Sequence, residues 1–138
     1  MPELYCSVYV RSDDLMNEIK EEAEADSATI RKDKEGITEL YFEDLDDEPQ
    51  VVDFLFQNGI NYDISIYKSD DWNPEEKSYR LEAGEKEFSA LVTEEGEFLS
   101  STKNIVDFLN GEKTLEELKQ DNAVQLMLVR EKYPLIKE

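Results

Sequence analysis

The chain has 138 residues, 35 of them Asp or Glu against 15 Lys or Arg, giving a net charge of -20, with no histidine and one cysteine. A field of that sign repels nucleic acid, anionic membrane and most phosphorylated substrates, and attracts basic surfaces. The missing histidine removes the commonest general base and the commonest transition-metal ligand, and a lone cysteine excludes an intramolecular disulfide or a cysteine-based zinc site.

Leu4, Cys6, Val8 and Val10 alternate with Tyr5, Ser7 and Tyr9, which predicts a half-buried strand. Cys6 sits in the apolar set and reads as a small buried hydrophobe rather than a nucleophile. Ser12 is then placed to cap a helix with Asp13 and Asp14 in its first turn and Leu15, Met16, Ile19 and Ala23 as its stripe. Ala28–Lys32 and Ile37–Phe42 flank Asp33-Lys34-Glu35-Gly36 and predict a hairpin whose glycine takes positive φ. A second helix is expected with Asp47 as N-cap, Pro49 in the first turn, Gln50 at the capping-box position and Gly59 just past the end; its stripe is Val52, Leu55 and Phe56. Ile60, Tyr62, Ile64 and Ile66 alternate with Asn61, Asp63, Ser65 and Tyr67 as the next strand. This order is β-α-β-β-α-β, a ferredoxin-like core over residues 4–67 in an α+β chain.

Lys68–Lys77 reads as a polar loop. Ser78–Ala83, Glu87–Thr93 and Glu97–Ser100 read as a short antiparallel meander, broken at Gly84 and Glu95-Gly96. Helices close the chain: Thr102–Leu109 stopping at Gly111, one opened by a Thr114/Glu117 capping box, then Ala123–Tyr133 after a break at Asp121-Asn122. The expectation is a single domain, with 4–67 as core, 78–100 as meander and 102–133 as helices. Gly96-Glu97-Phe98-Leu99, followed by Ile105 to Gly111 and Thr114-Leu115-Glu116-Glu117-Leu118, resembles the strand–helix–Gly–capped-helix stretch of PqqD-like peptide-recognition domains. That resemblance implies a peptide held as an added strand. It covers about a sixth of the chain on generic helix punctuation, and the β-α-β-β-α-β block lies outside that family's pattern, so it is not carried further.

The acid excess is lopsided. Residues 98–138 hold 7 acids and 6 bases, leaving 28 and 9 to residues 1–97, so the front carries -19 and the last third -1. Apolar residues are only 39%, but 7 Tyr, 6 Phe and 1 Trp at patterned positions indicate a folded chain with an acidic coat. Of the 15 bases, 11 are Lys, unlike a surface adapted to high salt. The absence of a disulfide framework, of an N-terminal targeting pattern and of any long apolar stretch predicts a cytoplasmic protein.

The residues left for function are carboxylates and aromatics. If the two helices cover Leu4, Cys6, Val8, Leu40, Phe42, Ile64 and Ile66, the other sheet face shows Tyr5, Tyr9, Glu39, Tyr41, Asp63 and Tyr67. Sheets of this topology that bind RNA place basic residues beside such aromatics; here carboxylates stand there, against direct nucleic-acid binding. That face is either covered by the C-terminal third or open to a protein partner. The run Glu43-Asp44-Leu45-Asp46-Asp47-Glu48 fails as a calcium loop, because Pro49 stands where glycine is needed and Leu55 where glutamate is needed. Asp70-Asp71-Trp72 places the only tryptophan in an acidic loop. No phosphate loop, nucleophile elbow or cofactor motif occurs. The expected function is therefore non-enzymatic, without cofactor or metal. The chain is read as an acidic inhibitor of the immunity-protein or phage/plasmid anti-defence kind, a nucleic-acid mimic that masks a basic nuclease or nucleic-acid-binding enzyme. Its contact residues would be Asp44, Asp46, Asp47, Glu48, Asp63, Tyr67, Asp70, Asp71, Trp72, Tyr5, Tyr9 and Tyr41. The alternative is a regulatory adaptor that binds a peptide or helix through the near-neutral last third, with Ile105, Phe108, Leu109, Leu126 and Val129. Weak Ca²⁺ or Mg²⁺ binding and the oligomeric state are left open.

Overall fold

The computed structural model describes residues 4–14, 17–32, 35–45, 47–68, 74–84, 86–92 and 102–135. Within them the chain is α+β, with a six-stranded antiparallel sheet and five α-helices. The strands are β1 (Leu4–Arg11), β2 (Thr29–Lys32), β3 (Ile37–Leu45), β4 (Tyr62–Lys68), β5 (Glu75–Tyr79) and β6 (Glu87–Leu91), in the spatial order β2-β3-β1-β4-β5-β6. The helices are α1 (Asn17–Ala25), α2 (Val51–Gln57), α3 (Thr102–Leu109), α4 (Leu115–Leu118) and α5 (Asn122–Lys132).

β1 sits inside the sheet, antiparallel to β3 on one side and to β4 on the other. Its strict alternation sends Leu4, Cys6, Val8 and Val10 to one face, where they pack with Leu40, Phe42, Ile64 and Ile66. Ile19 and Ala23 of α1 and Val51, Val52 and Leu55 of α2 close this core, so both helices lie on the same side. The opposite face is covered at its β5–β6 end by α5, whose Ala123 and Leu126 pack on Ala90 and Phe88. Among the described residues, the C-terminal third thus covers part of the second face and leaves the part around β1 and β3 uncovered.

Several local signals act as the sequence suggests. Gly36 takes φ +89° before β3. Gly59 ends α2 at φ +67°, with Gly59 N–H donating to the Phe56 carbonyl and Ile60 N–H to the Leu55 carbonyl, a complete Schellman closure. Thr114 and Glu117 form both halves of the capping box, and Asp121 caps α5 by accepting from the Ala123 and Val124 amides.

Other expectations are corrected. Ser12 does not cap a helix: it lies in a short 3₁₀ turn and hydrogen-bonds the buried Thr38 hydroxyl at 2.7 Å, while α1 begins at Asn17. Leu15 and Met16 lie outside the described residues. Asp47 is not the N-cap of α2. Its carboxylate accepts from the adjacent Glu48 amide, and the helix starts at Val51 after Gln50, whose amide donates to Asp26 at 3.2 Å. Pro49 is buried and Glu48 is drawn to Lys77, so winding begins only at Pro49, whose carbonyl accepts from the Val52 amide, and not at Asp47.

The polar segment after Lys68 is the larger correction. Residues 75–79 form β5 rather than a loop, and β5 and β6 extend the same sheet beyond β4 instead of standing as a separate meander. Glu97–Ser100 lie outside the described residues. The strand tolerates its charges because each is paired: Glu75 with Lys77 of the same strand, and Lys77 and Glu76 with residues from elsewhere. Lys77 gathers Glu48, Glu75 and Glu87. On the other face Ser78 donates to Asp63 at 2.5 Å, and Arg130 of α5 reaches Ser78 (2.6 Å) and Glu76 (3.2 Å).

Arg80 locks this end together. It is 1% exposed, pairs with Asp63 at 2.9 Å, and donates to the Tyr62 and Tyr79 carbonyls and to the Tyr133 carbonyl at the end of α5. Removing it leaves three carbonyls without this donor and takes the nearest cation from Asp63, in a site it has desolvated. Arg80→Leu is expected to cost about 3 kcal/mol in urea denaturation, and to loosen α5 first in amide exchange. A loss below about 0.5 kcal/mol, the range of ordinary surface substitutions, would show that Arg80 does not hold α5.

Candidate functional site

Leu4, at the start of β1, pairs with Leu45 at the end of β3 and with Lys68 at the end of β4. The chain therefore enters both acidic segments, 43–48 and 69–76, from the two flanks of one residue. Asp46, Asp70, Asp71 and Trp72, with the side chain of Asp44, lie outside the described residues. Pro74, where description resumes, lines a groove on the tyrosine face.

Three of the four expected tyrosines meet at that end. Tyr5 and Tyr67 are direct cross-strand partners, with ring centroids 6.2 Å apart and planes inclined by 41°. Tyr41 stands opposite Ser7 on the other side of β1. Ser7 and Ser65 are themselves paired, so two small side chains sit among three rings. The result is a groove of about 350 Å³. Tyr67 is 42% exposed at its rim, and Tyr5 and Tyr41 are half-buried. Tyr9 lies further along β1, between Glu39 and Asp63. Burial foremost holds its phenol above the ordinary tyrosine value, against a lowering hydrogen bond from Ser7.

The carboxylates of this face are largely engaged within the fold. Asp63 serves Ser78, Arg80 and Arg130. Glu39 accepts from Ser7 at 2.7 Å and lies 3.7 Å from Arg31, whose guanidinium also covers the Tyr41 ring at 5.2 Å. Glu76 pairs with Arg130. Glu48, on the helix side, pairs with Lys77. Two expected contact residues, Glu48 and Asp63, thus have internal duties, whereas Asp47 is exposed.

The unneutralised charge lies elsewhere, on α1. Glu18, Glu21 and Glu24 are exposed and Glu22 is half-exposed, against Lys20 alone in a helix of nine residues. None of these four glutamates has an ion pair among the described residues. Asp26 follows, bonded to the Gln50 amide, and Asp53 is exposed on α2. The 43–50 segment joins the two regions. Glu43 shares a face with Tyr41 and helps raise that phenol above its ordinary value, after burial, while Gln50 touches the end of α1. Sequence reading missed α1 as part of the surface, although Glu18, Glu21 and Glu22 stand at the i, i+3 and i+4 spacing that puts them on one side of a helix.

Only part of this charge serves the helix. Glu18 suits the first turn and Glu24 stands four residues from Lys20, but Glu18–Glu22 is a like-charged i,i+4 pair and Glu24 lies in a last turn that holds no basic residue. Cys6 offers no chemistry. It is 1% exposed, and burial, with Glu48 adding, pushes its thiol up to about 12. Among the described residues no group of three or more His, Cys, Asp or Glu is arranged to hold a metal ion, and no helix is long and apolar enough to cross a membrane. Comparisons with protein-family models, with curated proteins and with solved structures find no match.

The thiol gives a pH signature. The unfolded thiol titrates from its ordinary value of 9.0 and the folded one near 12, so between them the unfolded chain holds fewer protons and stability falls as pH rises. From pH 9 to pH 10 the thiol's share of the loss should be about 1 kcal/mol. Cys6→Ala should lower the slope by that amount, leaving the part due to Tyr62, Tyr9, Tyr41 and Lys77, whose values are also raised. Equal slopes in the two proteins would show that Cys6 is not protected by burial.

Proposed function

We propose that the chain is a non-enzymatic acidic binding protein that masks a basic partner by stoichiometric association. The partner class that fits is a nucleic-acid enzyme whose groove expects phosphates, as for immunity proteins and phage or plasmid anti-defence inhibitors. The observation that carries the reading is the acidic surface running from Glu18–Glu24 of α1 through Asp26 to Asp47 and Asp53, in which the four glutamates of α1 have no ion pair among the described residues. Such a surface steers a cationic partner, and the tyrosines at the neighbouring sheet end supply retention. Residues 4–67 are read with it as a ferredoxin-like core. In support, β3 lies between β2 and β1, β1 lies between β3 and β4, all pairs are antiparallel, and α1 and α2 share one face.

A second reading rests on α3. None of its described residues is fully buried, and Leu109 is 75% exposed, with Ile105 and Val106 exposed beside it. That favours an adaptor that takes a peptide or helix on the near-neutral last third; Leu126, by contrast, is used in the contact with β6.

Charge reversal separates the two. In Glu22→Lys/Glu24→Lys, with Asp47→Lys added, the association rate with a basic nucleic-acid enzyme captured at low salt should fall on the order of tenfold, as should that of the parent protein when salt is raised. Stability of the double variant should change by no more than about 0.5 kcal/mol, since Glu22→Lys gives Glu18 an i,i+4 partner and Glu24→Lys suits the last turn but sets a like charge four residues from Lys20. Capture of neutral or acidic partners only, with binding indifferent to these reversals and abolished by Leu109→Asp, would replace the inhibitor by the adaptor.

A further inference from the structure

We infer that the Tyr5–Tyr41–Tyr67 groove seats an arginine side chain of the basic partner; this rests on the acidic-binding reading above and names the group it holds. The hollow is made by pairing Ser7 with Ser65, two of the smallest side chains, with Tyr5 and Tyr9 flanking Ser7 on its face and Tyr67 and Asp63 flanking Ser65. Its rim is aromatic, and Pro74 and Val92 line it beside the two serines. Ring faces attract cations, and a planar guanidinium stacks on them better than a rounded ammonium does. The fold already uses this contact once, since Arg31 lies over Tyr41 at 5.2 Å.

Carboxylates flank the hollow on both sides. Glu76 is the cross-strand partner of Ser65, and Glu43 stands two residues beyond Tyr41 on the same face. Arg130 takes one oxygen of Glu76 at 3.2 Å, whereas Glu43 has no ion pair among the described residues. An anionic group would meet the wrong field here. A guanidinium would find the Tyr5 and Tyr67 rings, with centroids 6.2 Å apart and planes inclined by 41°, and the Glu76 carboxylate in the same lining.

The test uses the intact protein with nona-arginine and nona-lysine peptides, which carry equal charge, at low ionic strength. The parent protein should prefer the arginine peptide. Tyr67→Leu, which removes a ring, and Ser65→Leu, which fills the hollow, should each lower the ratio of arginine-peptide to lysine-peptide affinity by roughly three- to tenfold. Both should leave lysine-peptide binding in place, and Tyr67→Phe should keep the preference. Circular dichroism and an unchanged urea midpoint show that the variants are folded, because an unfolded chain of this charge would bind the lysine peptide as well. An unchanged ratio in both leucine variants, with the lysine peptide still bound and still lost on charge reversal of α1, overturns the groove assignment alone. Failure of both peptides to bind overturns the acidic-binding reading and the groove with it.

Discussion

The pairing of β1 on both edges is the constraint from which the rest follows. A strand hydrogen-bonded on both sides cannot slip without moving its whole apolar set to the wrong face, so the register against β3 and β4 is fixed by Leu4, Cys6, Val8 and Val10. That register places Tyr5 against Tyr67, Ser7 against Ser65 and Tyr41, and Leu4 between the exits to both acidic segments. The groove and the convergence of the acidic runs are consequences of one strand's alternation.

The arginines are engaged within the fold. All four arginines have acidic or aromatic partners within the chain: Arg11 with Asp14, Arg31 with Glu39 and Tyr41, Arg80 with Asp63, and Arg130 with Glu76 and Asp63. Lys77 does the same for Glu48, Glu75 and Glu87. Cations are thus used where β5 and α5 must be tied to the sheet, and the helix α1 is left with almost none. Isolated surface pairs contribute little, but the Arg80 node is desolvated, and there geometry decides whether α5 stays docked. The chain neutralises the acids that its fold needs and leaves bare the ones that it does not.

What could be read beforehand divides along the same line. β1, β3 and β4 were legible because strong apolar alternation needs no distant partner to be understood. Gly59, the Thr114/Glu117 box and the break at Asp121-Asn122 were legible because helix ends are local chemistry, although the capping of α5 by Asp121 was not read from it. β5 was not: Glu75, Glu76, Lys77 and Ser78 have the composition of a loop, and only Glu48, Glu87 and Arg130, distant in sequence, make the strand reasonable. Asp47 failed as a cap for a similar reason, because Lys77 and Asp26 hold the segment around it. In the candidate site the convergence of Tyr5, Tyr41 and Tyr67 followed from alternation. The internal duties of Asp63 and Glu48 depended on partners no local pattern reveals, and the row of glutamates on α1 was overlooked although its spacing was visible.

The central claim is that negative potential is concentrated on α1, on the 43–53 segment and at the tyrosine end of the sheet, not spread evenly over the molecule. Amide relaxation enhancement by a cationic nitroxide, divided residue by residue by that from an anionic one, measures this in solution. The ratio is expected to peak over Glu18–Asp26, Glu43–Asp53, Tyr5 and Tyr67, and to fall toward unity over α3, α4 and α5. A ratio of similar size around the whole surface, or a peak over α3 to α5, would contradict it.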